Sequence, residues 1–129
     1  MVLYRLSRAK EAIQEAGLLL AADHANTTVN RLYYACFYAV TALLLAKGHS
    51  SSKHAGIRSL FHQTVVKPGL VSASLGHLYD RLFDNRQKSD YADLVRFEAD
   101  DVRLWMYEVE GFVGQVENLI ESEIKTQPM

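Results

Sequence analysis

Several residue types are scarce in this chain of 129 residues, and each scarcity excludes a class of protein. The single cysteine, Cys36, cannot form an internal disulfide, so a disulfide-stapled secreted fold is excluded and a reducing cytoplasmic location is expected. Cys36 itself lies on an apolar stripe, as a small buried side chain would. Only two prolines and seven glycines interrupt the sequence, which favours long helices.

An excess of positive charge is also missing. Lys and Arg total 14 against 15 Asp and Glu, for a formal net charge of -1, so any contact with RNA must be local. Apolar residues make up 49% and charged residues 22%, an ordinary composition for a globular chain. We expect a single domain over residues 1–125 and a flexible tail over residues 126–129.

Long apolar runs are absent as well. The longest, residues 33–46, contains tyrosines and a threonine and is shorter than the roughly 18 apolar residues of a membrane span. Glu11, Gln14 and Glu15 interrupt the segment that would form the apolar part of a signal peptide. We therefore expect no membrane association and interpret residues 33–46 as part of a core helix.

Apolar residues recur every three or four positions in five segments, which predicts five helices at about 3–22, 25–47, 53–66, 71–87 and 97–124. Gly48 is placed to end the second helix. No segment alternates between apolar and polar residues as a half-buried strand does. The predicted fold class is all-α, an up-and-down bundle of four to five helices.

A polar segment follows the fourth predicted helix. If that helix continues for one more turn, Arg86 and Asp90 lie four residues apart on one face, where a guanidinium and a carboxylate can pair, and Tyr91 is their neighbour. Arg86 could bind a phosphate while Asp90 orients it and Tyr91 stacks or accepts a hydrogen bond. The alternative is an exposed ion pair capped by a core tyrosine.

The second predicted helix carries another polar face. Arg31, Tyr34, Tyr38 and Thr41 line up on the side away from its leucines. An arginine and two tyrosines there could hold a phosphate and stack on a base. Alternatively, the tyrosines pack against a neighbouring helix.

These two segments resemble HEPN domains, small helical proteins often encoded beside a minimal nucleotidyltransferase. The resemblance is carried by Arg31-x-Tyr33-Tyr34-Ala35 and by Arg86-x-x-x-Asp90-Tyr91. It implies a homodimer with two copies of Arg86 around one groove, a nucleotidyltransferase partner in a toxin–antitoxin-like pair, and contact with RNA or a nucleotide. Similar toxins carry a tyrosine that the partner can modify, and Tyr91 lies near that position.

One element of the toxin motif is missing. HEPN ribonucleases place a histidine a few residues after the arginine, whereas this chain has Asp90 there and no histidine after His77. Histidine suits proton transfer in metal-free RNA cleavage because its pKa is near neutrality. We therefore expect a binding and regulatory module with little or no ribonuclease activity. One alternative is a metal-independent toxin endoribonuclease using Arg86 and Asp90 in a dimer cleft, and another is a purely structural helical dimer.

The remaining motifs predict neither metal nor cofactor. His54, Arg58 and His62 lie along one face of the third predicted helix, but no acidic third ligand is near them. Glycine-rich phosphate loops and common enzyme signatures are absent. His54, after Ser51-Ser52-Lys53, resembles the family's Ser-x-His at this helix start, which implies a structural hydrogen bond.

Overall fold

The protein is a helical bundle. The computed structural model describes residues 1–90 and 95–126, and these contain no strand. The helices are α1 (Val2–Ala21), α2 (Ala25–Ala46), α3 (His54–Phe61), α4 (Ala73–Ser89) and α5 (Ala99–Thr126). Four of them match the predicted bounds to within two residues, and the all-α class is confirmed. The predicted tail overlaps α5 at Thr126, and residues 127–129 lie outside the described residues.

Helix α2 is the centre of the bundle. It packs against α1, α3, α4 and α5, and most of its residues are buried. By length and composition it could cross a membrane, but 67% of its most apolar window is buried inside the bundle. A helix buried between its neighbours must be apolar over most of its surface, so this composition is that of a core helix.

The helices around α2 each contribute one buried stripe. On α1 the stripe is largely small, with Ala9, Ala12 and Ala16 fully buried, and this allows α1 its extensive packing against α2. On α5 the buried residues are Val102, Val109, Phe112, Val113, Val116 and Ile120. Burial of these stripes removes apolar surface from water, which is the dominant stabilising contribution to such a fold.

The turn after α2 fixes where α3 begins. Gly48 has φ +85°, the Gly48 N–H donates to the Leu45 carbonyl, and the His49 N–H donates to the Leu44 carbonyl. This is a glycine-dependent helix end that satisfies the last carbonyls of α2 and reverses the chain. The prediction that α2 ends before Gly48 is confirmed, and the turn returns the chain so that His54 lies beside α2.

The third helix differs from its prediction. A single helix was expected over residues 53–66, but α3 ends at Phe61 and His62–Val66 form a π-helical turn. The Thr64 hydroxyl donates to the Leu60 carbonyl at 2.7 Å, and the Lys67 N–H donates to the His62 carbonyl, five residues back. A side chain that hydrogen-bonds to the helix backbone favours such widening, which apolar periodicity does not reveal.

The segment before α5 is tied to the start of α2. The Asn26 amide donates to the Val95 carbonyl at 2.8 Å, and the Phe97 N–H donates to the Asn26 side-chain oxygen at 3.0 Å. One side chain thus replaces the hydrogen bonds that an irregular segment cannot make for itself.

Candidate functional site

Arg86 lies in the last turn of α4, which runs two residues beyond its predicted end. Its side chain is half-buried, and its guanidinium lies against two aromatic rings, with Cζ 4.9 Å from the Tyr33 ring centre and 5.6 Å from that of Phe83. Its Nη1 donates a hydrogen bond of 3.0 Å to Nδ1 of His54. We call Arg86, His54, Tyr33 and Phe83 the Arg86 site.

His54 reaches this site from the first turn of α3. Its ring stacks on Phe37 at a centroid distance of 4.2 Å and an interplanar angle of 8°. The fully buried Tyr33 places its hydroxyl 2.7 Å from the same Nδ1 that accepts from Arg86. The prediction of a hydrogen bond for His54 is confirmed, and its partners, Tyr33 and Arg86, belong to the two segments that carry the resemblance to HEPN domains.

The partners of His54 determine where its proton lies. An arginine can only donate, so Nδ1 must carry a lone pair, and a neutral imidazole then has its proton on Nε2. Nε2 makes no hydrogen bond within residues 1–90 and 95–126, and His54 is half-buried. The tautomer follows from the hydrogen-bond geometry.

Burial and charge act on both titratable neighbours of Arg86. Burial, together with the positive charge of Arg86, lowers the pKa of His54 below its ordinary value of 6.5. Burial raises the pKa of Tyr33 to about 12, against the opposing effect of Arg86. At neutral pH the site therefore holds one fixed positive charge, a neutral imidazole and a neutral phenol.

The positive charge of Arg86 has no carboxylate partner among the described residues. The predicted ion pair with Asp90 does not form, because the guanidinium turns inward to His54 and the aromatic rings. Asp90 is exposed and caps the C-terminal end of α4. In addition, Nε of Arg86 is buried without a hydrogen-bond partner in the described part of the chain, which costs about 1–3 kcal/mol.

The polar face predicted on α2 adjoins the Arg86 site. The Arg31 guanidinium lies 5.0 Å from the centre of the Tyr34 ring, and the Tyr34 ring meets His54 edge-on at 6.0 Å. Three predicted RNA-contacting residues, Arg31, Tyr34 and Arg86, are thereby connected through His54. Arg31 also forms a long ion pair of 3.4 Å with Glu15, so its charge is partly compensated.

The rest of that face packs against α1 and within α2. Tyr38 has the Arg8 guanidinium 5.4 Å from its ring centre, and the Thr41 hydroxyl donates to the Tyr38 carbonyl at 2.9 Å. Thr41 is buried, so its hydroxyl is turned to the helix backbone and not to the surface.

A second group of charges borders the site on the α3–α4 side. Arg58 covers Phe83 at 4.1 Å and lies 3.7 Å from Asp84 and 4.0 Å from Asp80. Nε2 of His62 is 2.9 Å from Asp80. Because His62 turns to Asp80 and His54 turns to Arg86, the two histidines do not converge on a common metal position.

Sequence reasoning assigned no role in the site to Tyr33 or Phe83. The signal for Tyr33 was present in the Arg-x-Tyr-Tyr-Ala motif. Phe83 had no signal beyond its helical spacing, because apolar spacing cannot distinguish a core ring from a ring that also faces a cation.

Comparison with known proteins identifies the family. A family model described as the HEPN domain matches residues 2–119. The chain belongs to the HEPN family. It is 47% identical over 118 residues to a UPF0332 protein of Thermotoga maritima, covering 92% of this chain and 89% of the relative.

More distant relatives of this HEPN protein carry other names. It is 29% identical over 113 residues to a Methanocaldococcus jannaschii protein named "Putative toxin MJ0605", covering 88% of this chain and 84% of the relative. A second protein of that organism, named "Putative toxin MJ0142", is 22% identical over 118 residues, with coverage of 92% and 80%. The Tyr91 of the HEPN motif lies outside the described residues.

The lowered pKa of His54 predicts how the stability of this HEPN protein depends on pH. The unfolded chain takes up the His54 proton below about pH 6.5, before the folded chain does, so folding loses stability as the pH falls through that range. His54→Gln removes this contribution. The difference in unfolding free energy between wild type and His54→Gln, from urea titrations at several pH values, should decrease steadily on acidification. A difference independent of pH would contradict the assignment of a neutral His54.

Proposed function

We propose that this HEPN protein binds RNA or nucleotide phosphate through Arg86 and acts in the cytoplasm as the toxin-like member of a two-gene system, with a minimal nucleotidyltransferase as its partner. One observation carries the proposal: Arg86 is held in place with its charge uncompensated by any described carboxylate.

The surroundings of Arg86 suit a phosphate. The guanidinium is already oriented by His54 and by two ring faces, so little side-chain freedom remains to be lost on binding. A guanidinium presents a planar fork that fits two phosphate oxygens. An arginine that is only hydrogen-bonded to a neutral imidazole can exchange that bond for an anion at small cost.

Neighbouring side chains could extend this contact to a nucleotide. Tyr34 is half-buried, lies against His54 on one edge, and is covered by Arg31. Aromatic rings and guanidinium planes are the usual stacking surfaces for single-stranded bases. Arg31 and Tyr34 are accordingly the residues that we assign to base contact.

The partner and the dimer rest on family membership and on the toxin names of two relatives. A homodimer would set two copies of Arg86 around one groove, and light scattering should then report twice the 14.6 kDa chain mass. A monomer at micromolar concentration would remove this part of the proposal.

Modification of Tyr91 by the partner is the regulatory part of the proposal. A nucleotide joined to the Tyr91 phenol would bring a phosphodiester near Arg86 and occupy the charge that RNA would otherwise use. Co-expression with the partner should add one or more nucleotide masses to the intact chain, and Tyr91→Phe should abolish the gain. An unmodified wild-type chain beside an active partner would contradict it.

The phosphate contact predicts the effect of changing Arg86. Arg86→Ala should weaken binding of a labelled single-stranded RNA by at least about tenfold and reduce the salt dependence of binding by about one phosphate contact. The affinity of Arg86→Lys should lie between those of the wild type and Arg86→Ala, because lysine keeps the positive charge but lacks the planar fork of the guanidinium. Fluorescence anisotropy at several salt concentrations measures both effects.

Arg103→Ala is the matched control, because Arg103 is an exposed arginine on α5 that pairs with Asp100 at 2.7 Å. Circular dichroism should show that all three variants remain helical. Equal binding by Arg86→Ala and Arg103→Ala would refute the phosphate contact and favour the purely structural dimer.

A metal-independent endoribonuclease is the second candidate function. The observation that favours it is the imidazole of His54, whose Nδ1 lies 3.0 Å from Nη1 of Arg86. The motif around Arg86 has no histidine of its own. In this candidate Arg86 stabilises the charge developing on phosphorus, and Asp90 or His54 handles the proton. Asp90 is exposed and makes no hydrogen bond with Arg86 among the described residues, whereas His54 does. His54 is therefore better placed than Asp90 to transfer the proton.

This candidate predicts cleavage of a labelled single-stranded RNA in the presence of a chelator. His54→Ala and Arg86→Ala should each abolish the cleavage, whereas Asp90→Asn should reduce it much less. Intact RNA after prolonged incubation with the folded protein would refute the ribonuclease and leave the phosphate-binding proposal standing.

A further inference from the structure

Two hydrogen-bond donors meet at a single nitrogen of His54. The Nδ1 lone pair faces Nη1 of Arg86 at 3.0 Å and the Tyr33 hydroxyl at 2.7 Å. An imidazole nitrogen has only one lone pair, so these donors share it. The nitrogen left for a ligand is Nε2, which carries the proton and cannot accept another. In this state His54 is unable to act as a base towards anything that enters the site.

We propose that a phosphate bound at Arg86 releases Nδ1 of His54, so that the imidazole proton moves from Nε2 to Nδ1 and Nε2 becomes the nitrogen that can accept a proton. This inference rests on the proposed phosphate contact and assigns to His54 a tautomer that depends on the ligand.

Tyr33 allows the change of tautomer. A phenol can donate to Nδ1, or it can accept a hydrogen bond from Nδ1–H, because its oxygen has both a proton and lone pairs. Once Arg86 turns to phosphate, the imidazole proton can reside on Nδ1 and donate to the Tyr33 oxygen. The Tyr33 hydroxyl proton then turns to the neighbouring hydroxyl of Tyr79, which is buried without another partner in the described part of the chain. Nε2 then carries the lone pair, and no proton is gained or lost by the protein. The stacked Phe37 ring holds the imidazole plane in either state.

The charges around His54 indicate the direction of the accompanying change. From α2, the phenols of Tyr33 and Tyr34 face it, and from α4 the guanidinium of Arg86 donates to it. On its own helix Arg58 is engaged with Asp80 and Asp84, and the preceding Lys53 is exposed. No carboxylate within the described residues contacts His54. Phosphate therefore compensates the one charge that now disfavours its protonation, and the pKa of His54 should rise.

The test is an NMR titration of the histidine rings in the full chain, with and without a tetranucleotide of 2′-O-methyl uridylate. This probe carries phosphodiesters that do not titrate near neutrality, and it cannot be cleaved because its 2′-oxygens are methylated. The pKa of His54 should rise by about one unit on binding, a tenfold gain in proton affinity. Above that pKa, the ring nitrogen shifts should report a move of the proton from Nε2 to Nδ1.

Two variants and one reference signal complete the experiment. In Arg86→Gln the tetranucleotide should leave the His54 signals unchanged. In Tyr33→Phe the imidazole proton of His54 should stay on Nε2 when the tetranucleotide is added. The exposed His77 should not respond in any sample. Binding that shifts the Arg86 Nε–H signal but leaves the pKa and tautomer of His54 unchanged overturns this inference and spares the proposed function. No change at Arg86 overturns both.

Discussion

The burial of Tyr33 is the constraint on which the rest of the site depends. Its ring is fully enclosed in the bundle, in contact with Tyr79 and Phe83 of α4 and with Phe37 of its own helix, while its hydroxyl reaches His54 of α3. One side chain on the central helix therefore fixes the positions of α3 and α4 relative to each other. The guanidinium of Arg86 rests on that same ring. Because close packing leaves the Tyr33 side chain little freedom to move, the polar groups that contact it are held in defined positions.

Arg86 gives the site a positive charge that no described carboxylate compensates. Most described arginines on the molecule, such as Arg8, Arg58 and Arg103, lie within reach of a carboxylate. Arg86 instead has ring faces, a neutral imidazole and a buried N–H without a partner in the described part of the chain. Cation–π contacts of about 0.5–2 kcal/mol and one hydrogen bond compensate only part of what a guanidinium loses on leaving water. Such an arrangement contributes little to stability and favours the binding of an anion, since the anion would supply the negative charge and the hydrogen-bond acceptor that Arg86 lacks.

Much of the fold could be predicted from the sequence because helical periodicity and glycine placement are local properties. The stripe on α2 and the turn at Gly48 are read directly from residues a few positions apart. The π-helical turn after Phe61 was missed, because it depends on a hydroxyl bonding to the backbone rather than on apolar spacing. For the site, Arg31, Tyr34 and Arg86 were found as candidates from residue type and motif. The contact that joins them through His54 could not be predicted. Arg86 and His54 are 32 positions apart in the sequence, and they meet only because the chain reverses direction at the turn after α2.

The same reasoning changes what the missing histidine means. A pairing rule for residues four apart on a helix assigned Asp90 to Arg86, but that rule describes exposed side chains in competition with water. At the end of α4 the guanidinium instead packs inward, against Phe83 of the same helix and against Tyr33 and His54 of neighbouring helices. The spacing within α4 therefore does not decide whether an imidazole accompanies the arginine. The turn between α2 and α3 decides it, by returning the chain so that a histidine distant in sequence lies beside Arg86.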